Sequence, residues 1–279
     1  MRRVSSTSAR VASSWARRNG LAQKNLAAAA AWSRGFSSQD KGKVRSTVDA
    51  FEAAKFAGLE WSGDEGHQLK LMHETRMGAL RKYLSERHGW DNLEGMRVAD
   101  IGCGGGLLSQ SLMELGADVV AVDVASSNVE YTANKIKEGG EYKGTFEGRC
   151  TTAEGLFKME GSRSFDMVLS LEVIEHVSDP KLFLESCAEM TNNVLAISTL
   201  DRSVRSFLLA IVAAEYVARM VPTGTHDWTK FVQPYEIEEV IHQHGLHTDS
   251  VVGMHYNPLF NSWSTSHDTS VNYIHFSSR

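Results

Sequence analysis

The chain has 279 residues, with 34 acidic against 29 basic side chains and a net charge of −5. This length suits one α/β domain with extensions, and the charge excludes a partner held by bulk positive potential, so no nucleic acid is expected. No run reaches the ~18 apolar residues of a spanning helix, and the three cysteines, at 103, 150 and 187, show no framework spacing, which predicts reduced thiols in an intracellular compartment rather than disulfides or a zinc site.

Residues 1–39 hold six arginines, one lysine and no acid, the composition of an organellar transit peptide. Arg34-Gly-Phe-Ser37 reads as a mitochondrial processing site cut after Phe36, so 1–36 is expected to be a mitochondrial transit peptide outside the fold. Subtracting its seven positive charges from −5 leaves −12. From Ser46 to Leu84 apolar residues recur at helical spacing, among them Val48, Phe51, Leu69, Met72, Met77 and Leu80. Residues 37–90 therefore read as a linker and a helical N-terminal lid. Arg76 stands on that lid, where a guanidinium can grip a carboxylate with two parallel bonds.

Residues 91–279 carry the main domain. Met96–Ile101, Asp118–Val122, Phe146–Cys150, the largely apolar Phe165–Ser170, Val194–Ser198, Val251–Tyr256 and Val271–Ser277 read as seven strands. Helices between them predict an α/β fold, a Rossmann-like doubly wound sheet with its ligands at the carboxyl ends of the strands. The turn before the fifth strand, Thr191-Asn-Asn193, is expected to use the tolerance of asparagine for left-handed backbone.

The first strand runs into Asp100-Ile-Gly-Cys-Gly-Gly-Gly106, and the second ends on Asp123. Glycines let the backbone approach a ligand more closely than any side chain allows, and the helix beyond offers free N–H groups. Gly102 and Gly104 are the expected contacts. Asp123 sits where a carboxylate accepts the hydroxyls of a ribose. A dinucleotide fingerprint needs a third glycine at 107, where Leu107 stands, and Asp100 suits an ammonium group that a pyrophosphate ligand lacks. This loop resembles motif I of the S-adenosylmethionine-dependent methyltransferases, and a dinucleotide oxidoreductase is the more distant alternative. Ala153 and Glu154 follow the third strand, where this fold places residues around the adenine edge.

Leu171-Glu-Val-Ile-Glu-His-Val177 leaves the fourth strand at its carboxyl end, so Glu172, Glu175 and His176 are expected to face the donor. Two carboxylates and an imidazole suit Mg²⁺ or Zn²⁺. Without metal, His176 or a glutamate serves as general base, and in many methyltransferases a similar turn only caps a helix and lines the cofactor pocket. Between the fifth strand and the tail, residues 202–221 form an amphipathic helical pattern with Arg202, Arg205, Glu215 and Arg219 on one arc, and such a helix can lie along a bilayer surface or pack on its own domain.

Together with Ala214-Glu-Tyr, Met220-Val-Pro-Thr-Gly-Thr-His-Asp227 and Gly253-Met-His-Tyr-Asn-Pro258, these motifs make the chain from about Ser46 onward resemble the ubiquinone-biosynthesis O-methyltransferases. The resemblance implies a class I methyltransferase fold and a polyprenylated catechol or hydroquinone substrate, such as 3,4-dihydroxy-5-polyprenylbenzoate or 3-demethylubiquinol. It implies cofactor contacts at Arg76, Gly102, Asp123 and Leu171, and a metal site at Glu172, Glu175 and His176. It also implies a membrane-contact insertion at 202–221, peripheral placement on the matrix face of the mitochondrial inner membrane, and a place in a multi-subunit biosynthetic complex. The chain departs from the family pattern at Lys70, at Asp201 and in keeping Trp61 alone of a tryptophan pair. Another small-molecule methyltransferase, or a non-catalytic subunit of such a complex, would share the glycine loop.

Overall fold

The computed structural model describes residues 46–49, 52, 61, 64–203 and 230–279. Helix α1 (Asp64–His88) precedes β1 (Arg97–Ile101), α2 (Leu107–Glu114), β2 (Asp118–Asp123), α3 (Ser126–Glu138) and β3 (Phe146–Cys150). Next come α4 (Ala153–Glu160), β4 (Phe165–Leu171), a single 3-10 turn (Ile174–His176), α5 (Pro180–Met190) and β5 (Thr191–Leu200). The chain closes with α6 (Pro234–Gln243), β6 (His247–Asn257), β7 (Ser262–Ser266) and β8 (Asn272–Ser278).

The sheet order is β3-β2-β1-β4-β5-β8-β6-β7. The first five strands run parallel, and β8 lies antiparallel between β5 and β6. Because successive side chains alternate across a strand, each apolar run serves two cores. Val98, Val119, Met167 and Val194 pack on the face covered by α1 and α2. Ala99, Val120, Val168 and Leu195 pack on the other, beneath α4, α5 and α6. The helices start on local caps: the Thr152 hydroxyl accepts from Gly155 N, Asp179 accepts from Leu182 N ahead of Pro180, and Gln233 and Glu236 form a capping box. At the far end of α5, Arg279 donates from Nη2 to the Ala188 carbonyl at 3.0 Å and from Nε to Thr191 at 2.9 Å, supplying donors that the last helical turn lacks.

Three expectations need correction. The sheet has an eighth strand, β7, which pairs antiparallel with β6 across a short turn. Its sequence Ser-Trp-Ser-Thr-Ser is polar on both faces except at Trp263, so it carried no strand signal. The helical reading from Ser46 fails over 46–49, where Val48 forms a β-bridge with Val177 and Thr47 donates its N–H to Glu154. The left-handed turn at 191–193 is absent: β5 starts at Thr191 directly after α5, and its hydroxyl donates to the Cys187 carbonyl at 2.8 Å. The amphipathic pattern at 202–221 lies, beyond Ser203, outside the described residues, as does the leader. Among the described residues no helix is long and apolar enough to cross a membrane.

Candidate active site

The carboxyl ends of the parallel strands bring three groups of residues to one rim. The first is the loop between β1 and α2. Gly102 and Cys103 donate to the Val122 carbonyl at 2.8 and 2.9 Å, so the loop is stitched to the end of β2 before the helix begins. Gly104 has φ +50, a left-handed conformation that side chains resist, and a Cβ there would lie 2.5 Å from the Trp61 ring. Its N–H donates to Asp123 Oδ2 at 3.0 Å, and its carbonyl accepts from the Thr132 hydroxyl at 2.8 Å.

Asp123 ends β2 and is buried. Oδ1 accepts from Ala125 N at 2.9 Å and Asn128 Nδ2 at 3.2 Å, which leaves Oδ2, with its single bond to Gly104, the better acceptor for a sugar hydroxyl. Burial raises its pKa and these hydrogen bonds oppose the rise. Asp100, fully buried at the end of β1, accepts from the Ser109 hydroxyl at 2.5 Å, and burial pushes it up to about 7. A cation laid against it would favour its ionised form.

Arg76 defines the second group. The lid helix buries its guanidinium, Nη2 ion-pairs with Glu172 Oε1 at 2.8 Å, and among the described residues the buried Nε has no hydrogen-bond partner. An orphaned guanidinium N–H is costly, and a carboxylate laid against it would satisfy it. The same charge, after burial itself, helps push His73 down to about 4.

The acidic turn after β4 is the third. Glu172 adopts φ +59, a strained left-handed conformation for a residue with a Cβ. Its Oε1 accepts from both Arg76 and the Ser198 hydroxyl, the latter at 2.8 Å, while among the described residues no donor reaches Oε2. Glu175 is buried, accepts from the Thr199 hydroxyl at 2.8 Å, and is pushed up to about 7 by burial and then by the Glu172 charge. His176 turns Nδ1 to Glu52 at 3.1 Å. The three expected metal ligands thus point into three separate sets of partners, and no group of three His, Cys, Asp or Glu side chains among the described residues could hold a metal ion. Adjacency in sequence brought Glu172, Glu175 and His176 to one turn but not to one focus.

The remaining expected contacts are placed as follows. Gly102 packs against Val173, leaving no room for a Cβ. Leu171 ends β4 in register with Ser198. Ala153 and Glu154 open α4, but Glu154 Oε1 is taken by Thr47 and the buried Oε2 has no partner among the described residues. Sequence reasoning missed Ser109, Asn128, Thr132, Ser198 and Thr199, and it counted Trp61 only as a remnant. The indole lies over Gly104 and Gly105 and donates to Asn128 Oδ1 at 3.2 Å. Cys103 and Cys187 are buried, whereas Cys150 is exposed at the end of β3, in register with Asp123.

Residues 99–193 match the model of a methyltransferase domain. The ubiquinone biosynthesis O-methyltransferase of Azorhizobium caulinodans is 41% identical over 242 residues, 83% of this chain and 94% of the relative. That of Parvibaculum lavamentivorans is 40% identical over 247 residues, covering 85% and 96%. The chain belongs to the ubiquinone biosynthesis O-methyltransferase family. Among solved structures, magnesium protoporphyrin IX methyltransferase from Synechocystis PCC 6803 with bound SAH shares the fold, with a TM-score of 0.56 at 19% identity over 82% of this chain and 93% of that one. Of the two motifs beyond the matched residues, 253–258 runs along β6 into the turn after it, and 220–227 lies outside the described residues.

Proposed function

We propose that this O-methyltransferase transfers a methyl group from S-adenosylmethionine to a ring hydroxyl of a polyprenylated catechol or hydroquinone in ubiquinone biosynthesis. The observation that carries the reading is Glu172, held on one oxygen by Arg76 and Ser198 and open on the other.

The residues fit the donor. The Arg76 Nε without a partner suits its carboxylate, the buried Asp100 suits its ammonium, and Asp123 Oδ2 suits its ribose. When bound, the donor supplies an electrophilic methyl on a positively charged sulfur. The protein's remaining tasks are to orient one phenolic oxygen and remove its proton. Glu172 Oε2 accepts that proton, because Oε1 is already engaged. Arg76 beside it favours the negative charge that develops on the ring oxygen. Ser198 and the left-handed backbone at 172 hold the carboxylate in place. No step is routed through Mg²⁺ or Zn²⁺, because among the described residues no three His, Cys, Asp or Glu side chains come together to hold one.

The arginine-rich leader supports import into mitochondria, and the 202–221 pattern supports peripheral attachment to the inner membrane, where a hydrocarbon tail stays in lipid while its ring reaches the rim. Membership of a multi-subunit complex follows from the resemblance and stands as part of the proposal. The test is incubation of the purified protein with labelled donor and a short-chain catechol. Label on a ring oxygen is expected, and label on carbon or nitrogen, or none, would reject the reading.

A further inference from the structure

The turn between β6 and β7 places two large apolar side chains in solvent. Leu259 is 88% exposed and Phe260 77%, the only adjacent pair among the exposed large hydrophobic residues described. This exposure is built into the turn. Asn257 Oδ1 accepts from Leu259 N at 3.0 Å, Asn261 takes φ +46, and the Tyr256 hydroxyl donates to Asn261 Oδ1 at 2.7 Å. At its base the Tyr256 and Trp263 rings pair across the strands with centroids 5.3 Å apart.

The register fixes where the tip points. Leu200, at the carboxyl end of β5, is level with Asn272, which is level with Met254 on β6. β6 runs three residues past that level, about 10 Å of extended chain, so the tip rises beyond the rim that carries Glu172 and the glycine loop. β7 packs against α1, the helix of Arg76, so the tip is joined to the lid. From Tyr256 to Ser266 there is no Asp, Glu, Lys or Arg, in a chain of net charge −5. An acidic protein meets an anionic surface through such an uncharged stretch at least electrostatic cost. Tyr and Trp at the base with Leu and Phe at the tip match the layering of a membrane interface, amphipathic rings at headgroup level and apolar groups below.

We infer that the β6–β7 tip inserts Leu259 and Phe260 into the interfacial layer of a lipid bilayer and so presents the rim to a substrate held in that layer. This rests on the polyprenyl reading of the substrate and adds the surface that delivers it. The test is flotation of the full chain with phosphatidylcholine vesicles and with phosphatidylcholine–phosphatidylglycerol vesicles. The parent should bind both, with little release by salt. The double variant Leu259→Ser, Phe260→Ser should bind at least about tenfold more weakly, while methylating a soluble short-chain catechol at the parent rate. Phe260→Trp should shift its emission to the blue when vesicles are added. Unchanged binding by the double variant, no parental binding, or an emission that does not move would overturn the inference. A parent dimer that the double variant splits would overturn it in favour of a second copy on the tip. Failure of the parent to methylate the soluble catechol would sink the functional reading and leave the vesicle result standing.

Discussion

The two halves of the cleft are built differently. In the glycine-loop half the partners are close in sequence: Asp123 is bonded by residues 104, 125 and 128, and Asp100 by residue 109. In the acidic-turn half they come from afar: Glu172 is held from 76 and 198, Glu175 from 199, and His176 from 52. A group tied by its neighbours is in place as soon as its βαβ unit forms. Groups tied from other segments are in place only when lid, sheet and the segment around Glu52 have docked, so damage to any of them should reach the proton-accepting step first.

The largest effect expected from breaking this arrangement is on turnover. Glu172→Gln should lower kcat by about 100- to 10,000-fold, the range of a lost general base. The same variant frees Arg76 from a competing carboxylate, so calorimetry should show donor affinity unchanged or tighter. Parental turnover in Glu172→Gln would remove Glu172 from the mechanism.

Arg76→Met tests the residue assigned to the donor's carboxylate. It removes a partner of Glu172 and the carboxylate site together, so donor binding should weaken by about 30- to 150-fold, as for loss of a charge-assisted pair worth ~2–3 kcal/mol. Titration calorimetry reads this, and unchanged affinity would show that the orphaned Nε is not a ligand site. Within the local half, Gly104→Ala places a Cβ against Trp61 in a left-handed backbone. A stability loss of about 1–2 kcal/mol is expected with weaker donor binding, measured by denaturant melts and calorimetry. Melts that overlay the parent would mean the loop relaxes freely.

These differences explain what could be read in advance. Strands β1, β2, β4 and β5 were legible because burial on both faces makes them largely apolar runs, and Asp100, Gly102, Gly104 and Asp123 could be read together because they lie close along one chain. Glu172 could be named from its position after β4, but not its two partners on Oε1, because nothing local relates 172 to 76 or 198. The metal shell read at Glu172, Glu175 and His176 rested on adjacency alone, and the three side chains take different hydrogen-bond partners. Strand β7 was hidden by its serines, and Trp61 by its distance from the loop it covers.

The smallest effect concerns pH. Burial pushes the Asp100 carboxyl up to about 7 in the folded protein, well above the ~4 of an exposed aspartate. Between these values the folded state binds the extra proton, so this group's contribution falls as pH rises, by about 1 kcal/mol between pH 6 and 7.5. Thermal melts of the donor-free protein should show that slope, and Asp100→Asn should flatten it. A variant with the parental slope would assign it to other groups, of which Glu175 is the first.

Cys150 offers a practical opening. It is the one solvent-facing thiol of three, one strand away from the carboxylate assigned to the sugar, while burial raises the pKa of the other two. A maleimide dye should therefore attach at a single position without any engineered mutation, and its brightness would follow occupancy of the neighbouring crevice in real time.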